Sequence, residues 1–266
     1  MSTQHKTYLP YLTNAEVAEA VRQQRVLILP LGTVESNGPH QLLGCDFIIS
    51  EQLASQVVER TSALRMPTFH YGISEFHSGL PGTFTLPEAL YAQMLDTLMR
   101  EAHRNGFERV LLLNCHRHNH QTIEVLGRTL RREIGMALSV IDPLEVVREI
   151  AKDQFADDPP GAIGHGGEPL VSLIAHLNPD EIRLDLAPPP GAADFQGLPH
   201  RGSARFRFQG ANVGLFPLAE EINPSGGWVD LSHTNAQRGR VAFERLCDYT
   251  VSFVQAFSCM PTQISA

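Results

Sequence analysis

The sequence predicts an α/β fold of three layers, a mostly parallel β-sheet flanked by helices on both faces. Short apolar runs bounded by Gly, Pro or polar residues have the length and composition of buried strands, and they alternate with longer segments of helical period through most of the chain. Such alternation indicates parallel strands joined by crossover helices.

The elements follow in order. "RVLILPLG" (25–32) reads as a buried strand. "DFIISEQLASQVVERT" (46–61) reads as a helix, with Ile48, Leu53, Val57 and Val58 at helical spacing and Asp46 placed to cap its start. "LRMPTFHYG" (64–72) is a second strand. "PEALYAQMLDTLMREAHRNGF" (87–107) is a helix with Pro in its first turn, Leu90, Met94, Leu98 and Ala102 at four-residue steps, and Gly106 as its stop. The strand "RVLLLNCH" (109–116), the helix "HQTIEVLGRTLRREIG" (120–135) and the strand "ALSVID" (137–142) come next. "PLEVVREIAKDQF" (143–155) and "EPLVSLIAHL" (168–177) read as helices. From 178 to about 227 the chain is rich in Pro and Gly and predicts long loops, and a final helix spans roughly 234–257. No repeat or linker interrupts residues 1–266, so a single domain is expected.

Composition narrows the function classes. The chain has 266 residues, 42% hydrophobic and 19% charged, with a formal net charge of -8 and no block of Lys or Arg. That pattern argues against nucleic-acid and anionic-membrane partners, which need concentrated positive charge. The four Cys (45, 115, 247 and 259) are scattered without a CxxC pair, and they read as reduced thiols of a cytosolic protein. The polar start of the chain lacks the apolar core of a signal peptide, and no apolar run approaches a bilayer span. The expectation is a soluble, cytoplasmic protein acting on a small molecule.

In parallel sheets, ligands bind at the carboxyl ends of the strands. "PLGTVESNGPHQLLGCD" (30–46) and "NCHRHNH" (114–120) each follow a buried strand, so Glu35, Asn37, His40, Asp46, His116 and His118 should emerge at one edge. "HYGISEFHSGLPGT" (70–83), with His77, should join them. Mixed imidazole and carboxylate donors suit a divalent zinc, manganese or iron ion. In "GHGGEPLVS" (164–172) the glycines around His165 and Glu168 leave the backbone free to approach a ligand.

These four stretches, in this order, resemble the creatininase (creatinine amidohydrolase) family. That family carries Pro-x-Gly-x-x-Glu-x-His-Gly-x-His followed by Asp, then His-x-x-x-Pro-Gly-Thr, then Asn-Gly-His-Gly-Gly-Asn or a close variant, then His-Ala-Gly-Glu-x-Glu-Thr-Ser. The corresponding stretches here are "PLGTVESNGPHQLLGCD", "HSGLPGT", "NCHRHN" and "HGGEPLVS", and the resemblance covers roughly 27–179. It implies one metal ion on Glu35, Asp46 and His116, and a second that shares Asp46. At the second position the chain departs from the family: Asn37 replaces a histidine ligand, His118 stands two residues after His116, and Leu170 and Val171 replace Glu and Thr. Asn37, His118 and Glu168 are therefore the second-site candidates. Either Asn37 and His118 exchange roles, or that position is empty or weak.

The resemblance implies a metal-dependent hydrolase in which metal-activated water attacks a small polar substrate, a cyclic or simple amide. His165 is then the candidate to move a proton to the leaving group, Glu168 to ligate metal or orient water, and His77 to form the pocket wall. His40 is placed equally as a structural or a participating residue. Loss of the proton-handling Glu at Leu170 argues against creatinine itself. Two alternatives stand beside this reading, namely C–C hydrolysis of a cyclic polyol ketone of the dehydro-inosose type or deformylation, and a non-catalytic binding protein. The resemblance also implies a homo-oligomer, commonly a hexamer.

Overall fold

The computed structural model describes residues 7–159, 161–191, 194–202, 204–227 and 229–262. Four strands, β1 (Leu27–Leu31), β2 (Leu64–Arg65), β3 (Arg109–Asn114) and β4 (Ala137–Ile141), form one sheet in the order β2-β1-β3-β4, all parallel. The helices are α1 (Asn14–Arg22), α2 (Cys45–Glu59), α3 (Glu88–Arg104), α4 (His120–Ile134), α5 (Pro143–Ile150), α6 (Leu170–Leu177), α7 (Ala219–Ile222) and α8 (Ala236–Cys259).

Every residue of β1 and β3 is buried, and successive side chains enter opposite cores, as the two-residue period of a strand dictates. Ile28, Leu111 and Leu113 pack with Ile49 and Leu53 of α2, Leu173 of α6 and Phe243 of α8. Leu27, Leu29, Val110 and Leu112 pack with Tyr91 and Leu95 of α3 and Leu130 of α4. The two cores make the expected three layers. Leu53 is fully buried, so its truncation to Ala would cost about 2–5 kcal/mol.

This topology creates the crevice. β1 and β3 are neighbours, with Leu31 opposite Asn114. Yet α2, which follows β1, packs on one face, while α4, which follows β3, packs on the other. The two loops diverge, and the gap between them lies at the carboxyl ends of the strands, where a doubly wound sheet binds ligands.

Several elements differ from the sequence-based expectation. Asp46 makes no capping bond; it sits buried in the first turn of α2, turned towards His116. On α3 the buried face is Tyr91, Leu95, Met99 and Ala102; of the expected stripe Ala102 is buried, whereas Leu90 and Met94 are exposed. A strict four-residue step overshoots the 3.6-residue turn, so tracing the stripe from Leu90 misplaces the face. Pro87 is the N-cap of α3 and not a first-turn residue. Its far end is a Schellman motif: Gly106, at φ 93°, donates to His103 O, and Phe107 donates to Ala102 O. β2 ends at Arg65 because Pro67 has no N–H for the ladder, and bridging to Leu31 resumes at Phe69.

The region from 178 to 227 is not all loop. It holds two hairpins, β5 (Asp194–Phe195) with β6 (Leu198–Pro199) and β7 (Arg205–Phe208) with β8 (Ala211–Gly214). Both turn through Gln-Gly with positive φ at each residue, the backbone of a type I′ turn. Ala192, Ala193 and Ser203 of this stretch, like residues 1–6 of the polar N-terminus, lie outside the described residues. Cys45, Cys115, Cys247 and Cys259 are free thiols. Among the described residues, no helix is long and apolar enough to cross a membrane.

Candidate metal centre

Glu35 enters the crevice from the loop after β1 and is fully enclosed. Two pairs of imidazoles converge on its carboxylate, His116 with His118 and His77 with His165, and each trio offers ligand atoms within 4.8 Å of one another. His77 Nδ1 lies 3.0 Å, and His116 Nε2 3.6 Å, from Glu35 Oε2; His165 Nδ1 lies 3.9 Å from Oε1. Neither Glu35 Oε2 nor either His77 nitrogen has a hydrogen-bond partner. Buried polar atoms are rarely left in that state, and a cation between Glu35 Oε2 and one His77 nitrogen would satisfy both of those atoms. The donor set fits a divalent transition-metal ion: neutral imidazole nitrogens with carboxylate oxygens, held by four separate chain segments.

Backbone carbonyls orient two of the imidazoles. His116 Nε2 lies 2.8 Å from Ile73 O and its Nδ1 lies 2.8 Å from Asp46 Oδ2. His165 Nε2 lies 2.7 Å from Ser36 O, and its ring stacks on His77 with centroids 3.9 Å apart. In both residues the carbonyl accepts from Nε2, which directs Nδ1 towards a carboxylate. The two asparagines of "NCHRHN" hold this arrangement in place. Asn119 Oδ1 accepts from Ile73 N at 3.0 Å, Asn119 Nδ2 donates to Asn114 Oδ1, and Asn114 Nδ2 donates to the His116 carbonyl.

The charges follow from these placements. Burial alone would raise the Glu35 pKa, but His116, His77 and His165 outweigh it and hold the carboxyl well below the usual range. Burial also opposes charge on His116, yet Glu35 and Asp46 raise its pKa to about 9. His165 has no such carboxylate pair, and burial followed by the neighbouring His77 pushes it down to about 3. Burial and then His116 bring His118 to about 4.

The remaining candidates surround this centre. Asn37 is buried at the cavity wall, its amide nitrogen 3.4 Å from the Glu35 carbonyl, and it belongs to neither trio. Asp46 also lies outside both trios and reaches the centre through His116. Glu168 lines the same cavity. Its Oε1 accepts from Ser172 Oγ at 2.8 Å and Thr234 Oγ1 at 2.9 Å, while Oε2 is buried without a partner, and burial raises its pKa. His40 stands behind the site and binds Gly166 O through Nε2 at 3.0 Å, tying the first loop to the fourth motif. Gly166, at φ 75°, is required there because a Cβ would fall 2.2 Å from the Asn37 carbonyl.

The cavity encloses about 530 Å³, and its outer wall is built by Phe76, Arg117, Arg148, His200 and Arg201. Sequence reasoning did not single out Arg117 or Arg148. It also missed the carbonyls of Ile73 and Ser36, which no residue type could reveal.

Known proteins match this description. The family model for creatininase, creatinine amidohydrolase, matches residues 10–254. Creatinine amidohydrolase of Pseudomonas putida is 33% identical over 60% of this chain and 67% of its own length. 3-Dehydro-scyllo-inosose hydrolase of Thermotoga maritima is 24% identical over 93% of this chain and 82% of its own. The mycofactocin precursor peptide peptidase of Mycolicibacterium smegmatis is 28% identical over 60% of this chain and 61% of its own. A crystal structure of creatininase superposes with a TM-score of 0.79 at 22% identity, covering 96% of this chain and 99% of that one. The matched model spans all four motifs that build the crevice, and the chain belongs to the creatininase family of metal-dependent hydrolases.

Proposed function

We propose that this hydrolase cleaves the C–N bond of a small amide, cyclic or open, and that its first metal ion is held by Glu35, Asp46 and His116. The observation that carries the reading is the buried Glu35 carboxylate between two imidazole pairs, with its Oε2 unpartnered. His116 Nδ1 and Asp46 Oδ2, 2.8 Å apart, provide one nitrogen and one oxygen donor, and the Ile73 carbonyl fixes the other face of the ring. His77, His165 and His118 supply nitrogen donors for a second ion, in a position where Asn37 is a poor ligand. Zinc, manganese and iron all suit this donor set. When bound, the ion supplies a water of lowered pKa and polarises the carbonyl oxygen.

The chain's own residues do the rest. Hydrolysis adds the water oxygen to the carbonyl carbon, breaks the C–N bond and delivers the water proton to nitrogen. Glu168 is the proton carrier in this reading, since its Oε2 is unpartnered in the cavity and burial raises its pKa towards the working range. Ser172 and Thr234 hold its other oxygen, so Oε2 keeps its aim. His165, at about 3, is neutral at pH 7 and suits ligation better than proton donation. Phe76 and His200 line the same cavity.

A second reading is hydrolysis of a C–C bond in a cyclic polyol ketone. It is favoured by the T. maritima inosose hydrolase match, which extends over 93% of this chain, and by Leu170, which puts no carboxylate beside Glu168. Single-domain organisation, a homo-oligomeric assembly and a cytoplasmic setting complete the proposal.

Metal analysis of protein purified without chelator tests the site. At least one equivalent of zinc, manganese or iron is expected, and less than about a tenth, with no thermal stabilisation on adding these ions, would sink the ligand assignment. A substrate screen then sets lactams and formamides against cyclic polyol ketones; turnover confined to the ketones would replace the amide reading with the second.

A further inference from the structure

We propose that the substrate carries one carboxylate, received by Arg148 and Arg117 on the outer wall of the cavity; this rests on the hydrolase reading of the same site. The observation is a guanidinium in the cavity wall with no hydrogen-bonded or ion-paired partner. Among the described residues, the other partly or fully buried guanidiniums have carboxylate or carbonyl partners: Arg25 with Ser62 and Ala63, Arg65 with Glu51, Arg100 with Asp96, Arg109 with Met260, Arg131 with Gly135, Arg238 with Asp158, Arg245 with Asp153. Arg148 is half-buried and has neither kind of partner, and its Nε is sealed from solvent with nothing to donate to. Beside it on the same wall stands Arg117, also without an ion pair, so two like charges face one cavity. A partly desolvated, unpaired cation next to another cation is unfavourable unless an anion completes the arrangement.

The acidic residues nearby do not fill that role. Asp142 and Glu145 line the same cavity and attract Arg148, but neither forms an ion pair with it. One oxygen of Asp142 is already occupied, accepting from Leu144 N at 2.9 Å and Glu145 N at 3.1 Å at the start of α5. Arg148, Asp46 and His116 line one cavity, so the anchor faces the same space as the metal-binding residues. Arg117 immediately follows His116 in the chain, at a position where the family motif has Gly. The substrate class that fits is a small N-acyl amino acid, with its amide at Glu35 and its carboxylate at the guanidiniums.

The test uses zinc-loaded protein and the matched pair N-formylglycine and N-formylglycinamide, which differ in the charge alone. Calorimetric binding and hydrolysis are both measured. The acid is expected to bind at least about tenfold more tightly than the amide, the usual worth of a charge-assisted hydrogen bond. Arg148→Gln and, separately, the exposed Arg117→Gln should each reduce that ratio with metal content unchanged, acting on KM and not on kcat. The anchor is overturned by absence of saturable binding of the acid, by equal binding of acid and amide, or by a preference that survives in both variants, which would place the carboxylate on the metal. An acid preference that depends on Arg148 without any hydrolysis keeps the anchor and removes the amidase reading. Equal hydrolysis of both compounds does the reverse.

Discussion

The two sides of Glu35 hold the same residue type in opposite electrostatic states. On one side His116 stands between Glu35 and Asp46, and its pKa is raised to about 9. On the other side His165 stacks on His77, shares only Glu35, and falls to about 3. Burial is similar on both sides, so the neighbours make the difference: Glu35 and Asp46 beside His116, and His77 beside His165. The lesson is that the charges facing an imidazole, carboxylate or imidazole, decide more than depth in the fold which half of a metal centre is preloaded with a proton and which is ready as a neutral ligand.

Removing the shared residue breaks both halves at once. Glu35→Ala is expected to abolish hydrolysis and to leave less than about a tenth of an equivalent of bound metal, as elemental analysis would show, since loss of a ligand exceeds the ~10–100-fold typical of residues behind one. Bound metal at the wild-type level would show that Glu35 is not the hub. Glu168→Gln tests a residue outside both halves. It preserves the bonds from Ser172 and Thr234 but removes the proton, so kcat should fall by about 10²–10⁴ with metal content intact. A loss of metal in this variant would move Glu168 into the ligand set.

The next comparison concerns the paired carboxylate. Asp46→Asn keeps the shape but removes a carboxylate ligand and the second charge on His116, which should weaken metal binding by more than the roughly 10–100-fold typical of residues behind a ligand. In the metal-free protein it also breaks a buried charge pair, a loss of about 3 kcal/mol at pH 7 measurable by urea unfolding. His165→Gln removes no charge and should leave the metal-free stability within about 1 kcal/mol of wild type. Equal losses in the two variants would erase the asymmetry.

How far this centre was legible in the sequence depends on which segment supplied the residue. Glu35, Asp46 and His116 follow directly on the buried runs of β1 and β3, so the strand-end rule brings them to one edge. The stacking of His165 on His77 joins two irregular segments, whose paths no periodicity encodes. Asp46 read equally well as a helix cap, because a carboxylate in a first turn suits the helix dipole whether or not it also faces an imidazole. Two other features did carry signals. Thr13 and Glu16 form the capping box that opens α1, and both Gln-Gly turns lie between short strand-forming runs. They were hidden by a polar N-terminus and by the Pro and Gly around 188–202.

The smallest effect expected is also the most direct reading of the asymmetry. A metal ion binds neutral imidazole, so His116 must lose its proton on loading, whereas His165 has none to lose. In the metal-free protein His116 is protonated at every pH below about 9. Loading its side at pH 7 should therefore release about one proton, and affinity there should rise roughly tenfold per pH unit until the curve flattens near pH 9. Ligation by His165 should release none above pH 5, since it is already neutral there. Zinc titrations by calorimetry in buffers of different ionisation enthalpy count these protons directly. In Asp46→Asn the flattening should move to lower pH, because the bond and the charge from Asp46 are among the causes that hold the His116 proton. If both binding steps release the same number of protons, the two sides of Glu35 are electrostatically equivalent and the second carboxylate is not what distinguishes them.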